Sequence, residues 1–419
     1  MLRLLFLLLA CFLIACERNG STAAGPECDA SIKLPDGFCA KIFSESAGPG
    51  RHLVVRKNGD VIVGVLDQRR VPGGIVILRD SDKDGHADAG QRFGDTGVHG
   101  VALSGDSVLY VSTAKDVLRY RLTDSLLPKK RIDTVVVDLA QRPIPSHSLA
   151  FDRRGNLVVG IGALSNGCAA KEVPGAPGRD PCPELVASGG IWTFKTDRTN
   201  QHLLDGTRIA TGLHNPVALA LNPRDTMIYA VSHGRDRLHE LWPALYSDEE
   251  NATVAAEEMI RIATPKADFG WPYCYYDYLK QGRVLAPEYG GDKEQVGRCE
   301  RLIQPLITFP AHWSPMSLLF YTGKMFPPKY QTGAFIAFHG SAFRAPMPEE
   351  GYEIVFLPFN DGFPGDYSEF ASGFAGAMVS PEGALHRPVG LAQGPDGALY
   401  VSDDKGGRIW KITYTPPKS

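Results

Sequence analysis

The sequence has no excess of basic side chains. Its 419 residues carry 44 Lys+Arg against 47 Asp+Glu, a formal net charge of −3. Phosphate binding needs a basic excess, so we exclude nucleic acid as the main partner. No CxxC or Cys/His cluster has the spacing of a zinc site, and no CxxCH motif would attach a haem. Helical periodicity is scarce, whereas 45 Gly and 31 Pro indicate many turns and short strands.

Long hydrophobic runs are also absent, apart from one at the N-terminus. There an apolar run of 12 residues, too short to span a bilayer, leads to Leu13-Ile14-Ala15-Cys16. Small and branched residues before a Cys resemble the lipobox of bacterial lipoproteins, in which that Cys becomes the lipidated N-terminus; an ordinary signal peptide is the alternative. We predict three segments: a signal peptide (1–16), a tether (17–34) and a folded domain (35–416). The lipid on Cys16 would anchor the protein in the bacterial cell envelope, facing the periplasm.

Six cysteines remain after the signal peptide and Cys16. An even number is typical of disulfides in an oxidising compartment. Six cysteines allow fifteen connectivities, and pairing between neighbours in the sequence is the simplest. The predicted pairs are Cys28–Cys39, Cys168–Cys182 and Cys274–Cys299. Free buried thiols are the alternative.

One pattern recurs along the chain: an apolar strand, a polar turn and a second apolar strand. The six copies begin at Leu53, Val101, Leu149, Leu219, Leu318 and Leu391. A third strand often follows, at Val117–Leu122, Gly190–Phe194, Ile354–Pro358 and Arg408–Tyr414. Repeated small sheets predict an all-β fold, a six-bladed β-propeller with long loop insertions, rather than a pair of β-sandwiches. Phe38–Phe43 would close the last blade against the first.

Two local motifs stand out within this pattern. Ser247-Asp248-Glu249-Glu250 is a capping box that predicts a short helix, continuing into NATVAAEEMIRI, in the insertion between blades 4 and 5. The segment Asp80–Asp88 has the acid spacing of a calcium loop, but Gln91 stands where a bidentate acid is needed. We predict an acidic hairpin turn of blade 1, with bound calcium as the alternative.

Polar residues gather where the inner strands of the blades begin. In a propeller these positions face a central funnel, and the loop after each second strand returns to the same face. The candidate residues are His99, Ser146-His147, His214-Asn215, His233-Gly234-Arg235-Asp236, Ser314, Arg344, His386-Arg387 and Asp403-Asp404. Cationic groups beside neutral imidazoles suit an anionic polycarboxylate ligand, and His is a common general base near neutral pH.

Five phrases in the second half carry a resemblance to a known family. They are GLHNPVALA (212–220), SHGRD (232–236), ADFGWPYCYYD (267–277), GAFIAFHGS (333–341) and HRPVGLAQGPDGALYVSDD (386–404). Together they resemble the glucose/sorbosone dehydrogenase family, closest to its sorbosone-dehydrogenase-like branch. These are six-bladed propellers that use pyrroloquinoline quinone (PQQ) and Ca²⁺ to oxidise a sugar or sugar aldehyde.

The resemblance implies roles for particular residues. His214, Asn215, Arg344 and Arg387 would contact PQQ, and the backbone carbonyls of Gly234 and Arg235 would hold Ca²⁺. A His would take the proton from the substrate hydroxyl while hydride passes to the quinone. Without a haem motif, the electron acceptor would be a separate molecule.

The sequence departs from the family where the base is expected. That position is Ile144, so His147 becomes the candidate catalytic residue, and a second clamping arginine is replaced by Val389. A non-catalytic propeller lipoprotein acting as a binding module is therefore the main alternative. A lactone hydrolase is a third possibility, but it needs carboxylates converging on the funnel axis, where the sequence places His and Arg.

Overall fold

The computed structural model describes residues 27–68, 72–128, 132–141, 146–360 and 362–417. The predicted signal peptide, the lipidated Cys16, the first part of the tether and Ile144 lie outside the described residues. Within these ranges, no helix is long and apolar enough to cross a membrane.

The first half of the chain forms a strand and three four-stranded blades. The opening strand is β1 (Phe38–Ser44). Blade 1 contains β2 (Gly50–Val55), β3 (Val61–Val65), β4 (Gly74–Arg79) and β5 (Ala89–Phe93). Blade 2 contains β6 (Gly100–Ser104), β7 (Val108–Ser112), β8 (Val117–Arg121) and β9 (Ile132–Val136). Blade 3 contains β10 (Leu149–Phe151), β11 (Leu157–Ile161), β12 (Gly190–Phe194) and β13 (Thr207–Thr211).

The second half forms three more blades and the longest insertions. Blade 4 begins with β14 (Asn215–Leu221) and β15 (Ile228–His233), followed by helices α1 (Leu238–Leu241) and α2 (Asp248–Thr253) and the third strand, β16 (Glu257–Ile262). The short strand β17 (Ala267–Asp268) joins blade 3, a hairpin consists of β18 (Cys274–Asp277) and β19 (Gly282–Leu285), and β20 (Ile307–Phe309) completes blade 4. Blade 5 contains β21 (Pro315–Phe320), β22 (Gly333–Phe338), β23 (Glu353–Asn360), β24 (Phe363–Pro364) and β25 (Ser368–Ala371). Blade 6 contains β26 (Pro388–Gln393), β27 (Leu399–Asp403) and β28 (Ile409–Tyr414).

The ring closes as predicted, with β1 as the outer strand of blade 6. It pairs antiparallel with β28, so that Phe38 lies opposite Tyr414 and Ile42 opposite Trp410. Trp410 is fully buried at this seam. Closure removes the exposed edge that blade 6 would otherwise present.

The predicted six-bladed propeller is thus confirmed, and its strands follow from local sequence. The second strands are mainly apolar; β3, β11 and β22 are buried at every position because a neighbouring blade covers each face. Close blade packing also needs small residues. A Cβ at Gly160 in β11 would lie 2.6 Å from the carbonyl oxygen of Pro216 in the next blade.

The short helix begins where the capping box predicts. Ser247 Oγ accepts from the Glu250 amide at 3.2 Å, and the Glu250 side chain accepts from the Ser247 amide at 2.9 Å. The helix ends at Thr253, however, and the continuation through EEMIRI is wrong. That segment is β16, because pairing with β15 and β20 outweighs the helical propensity of Glu and Met.

The insertion predicted between blades 4 and 5 therefore also contains the outer strands of blade 4. Residues 234–256 and 263–306 flank β16 and pack together, as the hydrogen bond between the Tyr246 and Tyr275 hydroxyls shows. They form a cap at the end of the funnel where His233 lies.

The three predicted disulfides are all present. Cys28–Cys39 joins the N-terminal segment to β1, Cys168–Cys182 closes a loop of blade 3 and Cys274–Cys299 lies within the cap. The acidic segment is the turn between β4 and β5, as predicted, and carboxylate oxygens of Asp80, Asp82 and Asp84 lie within 4.8 Å of one another.

Candidate active site

The starts of the inner strands and the ends of the second strands open on one end of the ring. Serine hydroxyls join neighbouring blades there: Ser112 donates to the His147 carbonyl, Ser148 to Pro216 and Ser402 to Arg51. These bonds fix the backbone at the mouth of the funnel. Further along the axis, a cavity of about 190 Å³ is lined by residues from all six inner strands, among them His52, Val101, Ser148, Val217, Ser317 and Leu391.

His52, in β2 of blade 1, extends its ring into the funnel. Its Nδ1 is 2.6 Å from the carbonyl oxygen of His99 in blade 2, and its Nε2 is 2.7 Å from that of Met316 in blade 5. Burial lowers the pKa of His52 below its usual value. The ring therefore links three blades through contacts to backbone oxygens.

A chain of hydrogen bonds crosses the mouth from blade 3 to blade 5. Ser146 Oγ donates to Asn215 Oδ1 at 2.5 Å, Asn215 Nδ2 lies 3.4 Å from His233 Nδ1, and His233 Nε2 lies 2.9 Å from the Pro315 carbonyl. An amide nitrogen can only donate, so His233 accepts at Nδ1 and donates at Nε2. We call Ser146, Asn215 and His233 the closed chain, because each member has protein partners.

His214 and Gly234, predicted to serve the cofactor and the metal, are in direct contact. His214 Nδ1 donates to the Gly234 carbonyl at 2.7 Å. The Gly234 amide and the Ser314 amide each donate to Glu257 at 2.9 Å. Burial raises the pKa of Glu257 to about 7, although the two amides favour its ionised form. Glu257 thereby ties the Gly234 loop of blade 4 to the start of blade 5.

The Arg235 side chain faces away from the funnel. Its guanidinium forms a two-bond ion pair with Glu288 at 2.6 and 2.7 Å, with each side chain 3% exposed, and Trp242 Nε1 donates to the same carboxylate at 3.1 Å. The backbone of the next residue, Asp236, is held by Asn166 through two hydrogen bonds of 2.8 and 2.6 Å. Arg235 can therefore serve a metal only through its carbonyl, which is the role predicted for it.

A second group of charged side chains joins blades 5, 6 and 1. Asp404 Oδ2 accepts from Arg51 Nη1 at 2.8 Å, and Asp404 Oδ1 accepts from His339 Nε2 at 2.8 Å. Burial raises the pKa of Asp404, but His339 and Arg51 outweigh this and hold it well below its usual range. Arg387 donates from Nε to the His339 carbonyl at 3.1 Å and lies over the Tyr352 ring at 5.5 Å. We call Arg51, His339, Arg387 and Asp404 the Asp404 cluster.

At or beside this cluster, three buried polar atoms have no hydrogen-bond partner among the described residues: Arg51 Nε, His99 Nδ1 and the hydroxyl of Tyr352. Burial, reinforced by Arg51, His147 and His52, lowers the pKa of His99 to about 3, so this ring is neutral at pH 7. A buried guanidinium N–H without an acceptor is costly, and a carboxylate of a bound ligand would satisfy it. The residues present therefore suit an anionic group such as PQQ.

Two predicted site residues are engaged elsewhere. His147 is buried, with Nδ1 at 3.0 Å from the Thr113 carbonyl and Nε2 at 3.2 Å from that of Ala140. Arg344 donates to the carbonyls of Pro348, Ala252 and Ala311 and pairs with Glu350. The structure gives both side chains a role in holding loops together and brings neither one's polar atoms to the Asp404 cluster.

Sequence reasoning missed Arg51, His52 and Glu257. Arg51 and His52 precede Leu53, the start of the first repeat, as His147 precedes Leu149 in the third, so the repeat itself could have identified them. Glu257 carried no such signal, because its segment was assigned to a helix. The structure identifies Glu257 as a site residue because the backbone amides of Gly234 and Ser314 donate to its carboxylate.

A closed six-bladed propeller with a polar funnel defines the class of protein. The family model described as TrAA12-like matches residues 32–415, and the chain belongs to that family. Among curated proteins, an uncharacterised protein of Borreliella burgdorferi is 29% identical over 208 residues, 49% of this chain. The match spans about half, 48%, of that relative's length.

Solved structures share the fold. The iodide structure of the Trichoderma reesei Carbohydrate-Active Enzymes Family AA12 protein is similar with TM-score 0.74 and 20% identity, covering 92% of this chain and 98% of that chain. The holo PQQ domain of Coprinopsis cinerea pyranose dehydrogenase has TM-score 0.72 and 16% identity, covering 91% and 97%. The soluble aldose sugar dehydrogenase of Escherichia coli, in its apo form, has TM-score 0.59 and 16% identity, covering 90% and 100%.

Proposed function

We propose that this protein is a PQQ- and Ca²⁺-dependent dehydrogenase that oxidises a sugar or sugar aldehyde. The observation that carries the proposal is the unpartnered Arg51 Nε, buried beside the neutral His99 in a funnel that also contains Arg387. A polycarboxylate ligand would satisfy these groups. The similar solved structures include a PQQ domain and a sugar dehydrogenase, which supports the same chemistry.

The residues of the funnel divide between two sets of ligand contacts. Arg51, His99 and Arg387 would bind the carboxylates of PQQ, and the family resemblance adds Asn215 and His214. The carbonyl oxygens of Gly234 and Arg235 would bind Ca²⁺, which prefers hard oxygen ligands. When bound, PQQ would supply an ortho-quinone that accepts a hydride from the substrate.

The protein would pass its electrons to a separate acceptor, because the sequence has no haem attachment motif. The predicted lipid on Cys16 would hold the propeller at a membrane of the cell envelope, on the periplasmic side.

The test is PQQ binding by the chain purified without its first 16 residues, with and without Ca²⁺. Thermal shift and quinone absorbance report binding, and ligand at 100 times its Kd adds about 2.7 kcal/mol of stability. We expect a Ca²⁺-dependent shift that Arg387→Met weakens and Arg298→Met, at an exposed pair with Asp180, leaves unchanged. No shift in the unsubstituted chain would overturn the proposal and favour the non-catalytic binding module.

A further inference from the structure

The proposed dehydrogenase needs a general base, and the histidines near the funnel differ in whether they can provide one. A base needs a ring nitrogen with a lone pair that faces the substrate. In His52, His147, His233 and His312, both ring nitrogens lie against protein partners. His214 donates from Nδ1 to the uncharged Gly234 carbonyl, and we assign this side chain to the cofactor. His386 donates to Asp403 at 2.6 Å, but its ring packs edge-on against Trp410 in β28, the third strand of blade 6.

His339 and His99 remain, and their surroundings differ. His339 follows β22, and its Nε2–H donates to Asp404 at 2.8 Å, while Nδ1 makes no hydrogen bond to any described residue. His99 has no carboxylate partner, and the cation Arg51 disfavours its protonated form. A histidine that receives a proton becomes an imidazolium, and of His339 and His99 only His339 has a carboxylate in place to stabilise it.

The His339 ring is oriented from three blades. Asp404, at the end of blade 6, fixes the ring through Oδ1, and Arg51 of blade 1 fixes the Asp404 carboxylate through Oδ2 at 2.8 Å. Arg387, which we assign to the cofactor, donates to the His339 carbonyl. The backbone that positions the ring thus also positions a proposed cofactor contact.

We propose that His339 is the catalytic base of this site, with Asp404 and Arg51 as its positioning residues. This inference rests on the proposed function. The substrate O–H bond breaks and its proton goes to Nδ1 of His339. The C–H bond of the carbon that carries this hydroxyl would break as well, and its electron pair would leave as hydride to the quinone that bound PQQ would supply, so that the cofactor would gain the two electrons that the substrate loses. The imidazolium then returns its proton to water.

The charges around His339 agree with this role. Asp404, Arg387 and Arg51 face the ring; burial and the two arginines lower its pKa, and Asp404 opposes them. The net effect is a pKa below 6.5, which leaves the ring neutral and able to accept a proton at pH 7. Below that pKa the ring is protonated, so the rate should fall on the acid side.

The first experiment uses protein without cofactor. The pKa of His339 is measured by NMR titration of its ring protons in the unsubstituted chain and in Asp404→Asn. We expect the pKa to be at least one unit lower in the variant, because the imidazolium loses its anionic partner. A pKa that Asp404→Asn does not move would overturn the positioning role, whether or not PQQ binds.

The second experiment separates binding from catalysis. We expect His339→Ala to bind PQQ, by quinone absorbance, with affinity within threefold of the unsubstituted chain. Its kcat for aldose oxidation with an artificial dye should fall about 10²- to 10⁴-fold. Added imidazole should restore part of this rate. His202→Ala is the matched control, since His202 also lies beside an aspartate, 3.4 Å from Asp138, but with 64% of its side chain exposed.

The outcomes are distinguishable. If the unsubstituted chain binds no PQQ, the proposed function fails and the base assignment fails with it. If PQQ binds and His339→Ala retains its kcat within threefold, only the base assignment fails. A loss of rate that imidazole does not restore assigns His339 a structural role and also overturns the proposal.

Discussion

Two sides of the funnel mouth use similar polar residues in different ways. Across blades 3 to 5, the closed chain of Ser146, Asn215 and His233 has protein partners at each step. Across blades 5, 6 and 1, Arg51 Nε, His99 Nδ1 and the Tyr352 hydroxyl have no hydrogen-bond partner in the described part of the chain. Buried polar atoms in folded proteins are nearly always hydrogen-bonded, so exceptions indicate a place where a ligand completes the network.

The two sides of the funnel mouth therefore have different roles. The closed chain holds the starts of blades 4 and 5 in position through Asn215 and the Pro315 carbonyl. The side with incomplete hydrogen bonding is the one that we propose binds the ligand. Substitutions on the first side should therefore reduce stability, and those on the second should change binding or pH dependence more than stability.

The largest effect is expected for Glu288→Gln, which leaves Arg235 charged and unpaired beneath the cap. Each side chain of this pair is 3% exposed, so the loss should be about 3–5 kcal/mol of unfolding free energy. Chemical denaturation measures it. Asp180→Asn is the control, because its pair with Arg298 is 53% and 47% exposed and should contribute less than about 1 kcal/mol. Equal losses would contradict the comparison.

A smaller loss is expected for His147→Leu. The His147 ring nitrogens lie against the carbonyls of Thr113 and Ala140, so the substitution leaves a buried carbonyl without its N–H donor, which costs about 1–3 kcal/mol of unfolding free energy. The matched control is His202→Leu at an exposed position, where denaturation midpoints should hardly move. If His147→Leu also leaves the denaturation midpoint unchanged, the His147 ring does not stabilise the loops that it contacts.

The pH dependence of stability should reveal His99. Its folded pKa, about 3, lies below the unfolded value of 6.5. The stabilisation from the neutral ring is therefore complete above pH 6.5 and is lost as pH falls toward 3, by at most about 1.4 kcal/mol per pH unit. Arg51, His147, His52 and Asp67 are the charged or titratable groups that act on it.

His99→Gln removes this titration. Between pH 6.5 and 4, the unsubstituted chain should lose stability faster than the variant, as measured by thermal denaturation at each pH. Parallel curves would show that His99 is not shielded from water as the structure indicates.

The smallest effect is expected for Arg51→Lys. Lysine keeps a positive charge beside Asp404 but removes the Nε–H that has no protein partner. The melting temperature without cofactor should change little, whereas affinity for PQQ should fall about tenfold, or about 1.4 kcal/mol. Isothermal calorimetry measures the affinity, and an unchanged Kd would place the cofactor away from blade 1.

The fold could be predicted because its signals are local. The alternation of apolar residues around Gly-containing turns fixes strands and hairpins within a dozen residues, and six copies define the ring. The strand at residues 257–262 could not be predicted in this way. EEMIRI has the composition of a helix, and only pairing with strands on both sides makes it a strand.

The candidate site could be predicted only in part. The repeat placed His99, Asn215, Arg387 and Asp404 at the mouth, because position along a blade determines which face a residue reaches. It could not give the direction of a side chain: His147 occupies the expected position yet binds backbone carbonyls. Long side chains such as Arg344 reach partners set by loops that no local pattern describes.

The seam between β1 and β28 has a consequence for how the chain tolerates shortening. Phe38–Ser44 and Ile409–Tyr414 are neighbours in one sheet although they lie near opposite ends of the chain. Removing either segment would open the same blade: loss of Phe38–Ser44 would uncover Trp410, and loss of Ile409–Tyr414 would remove Trp410 and leave β27 unpaired on that side. Both deletions should therefore destabilise blade 6, and a supplied peptide of the missing sequence should restore the blade by strand addition.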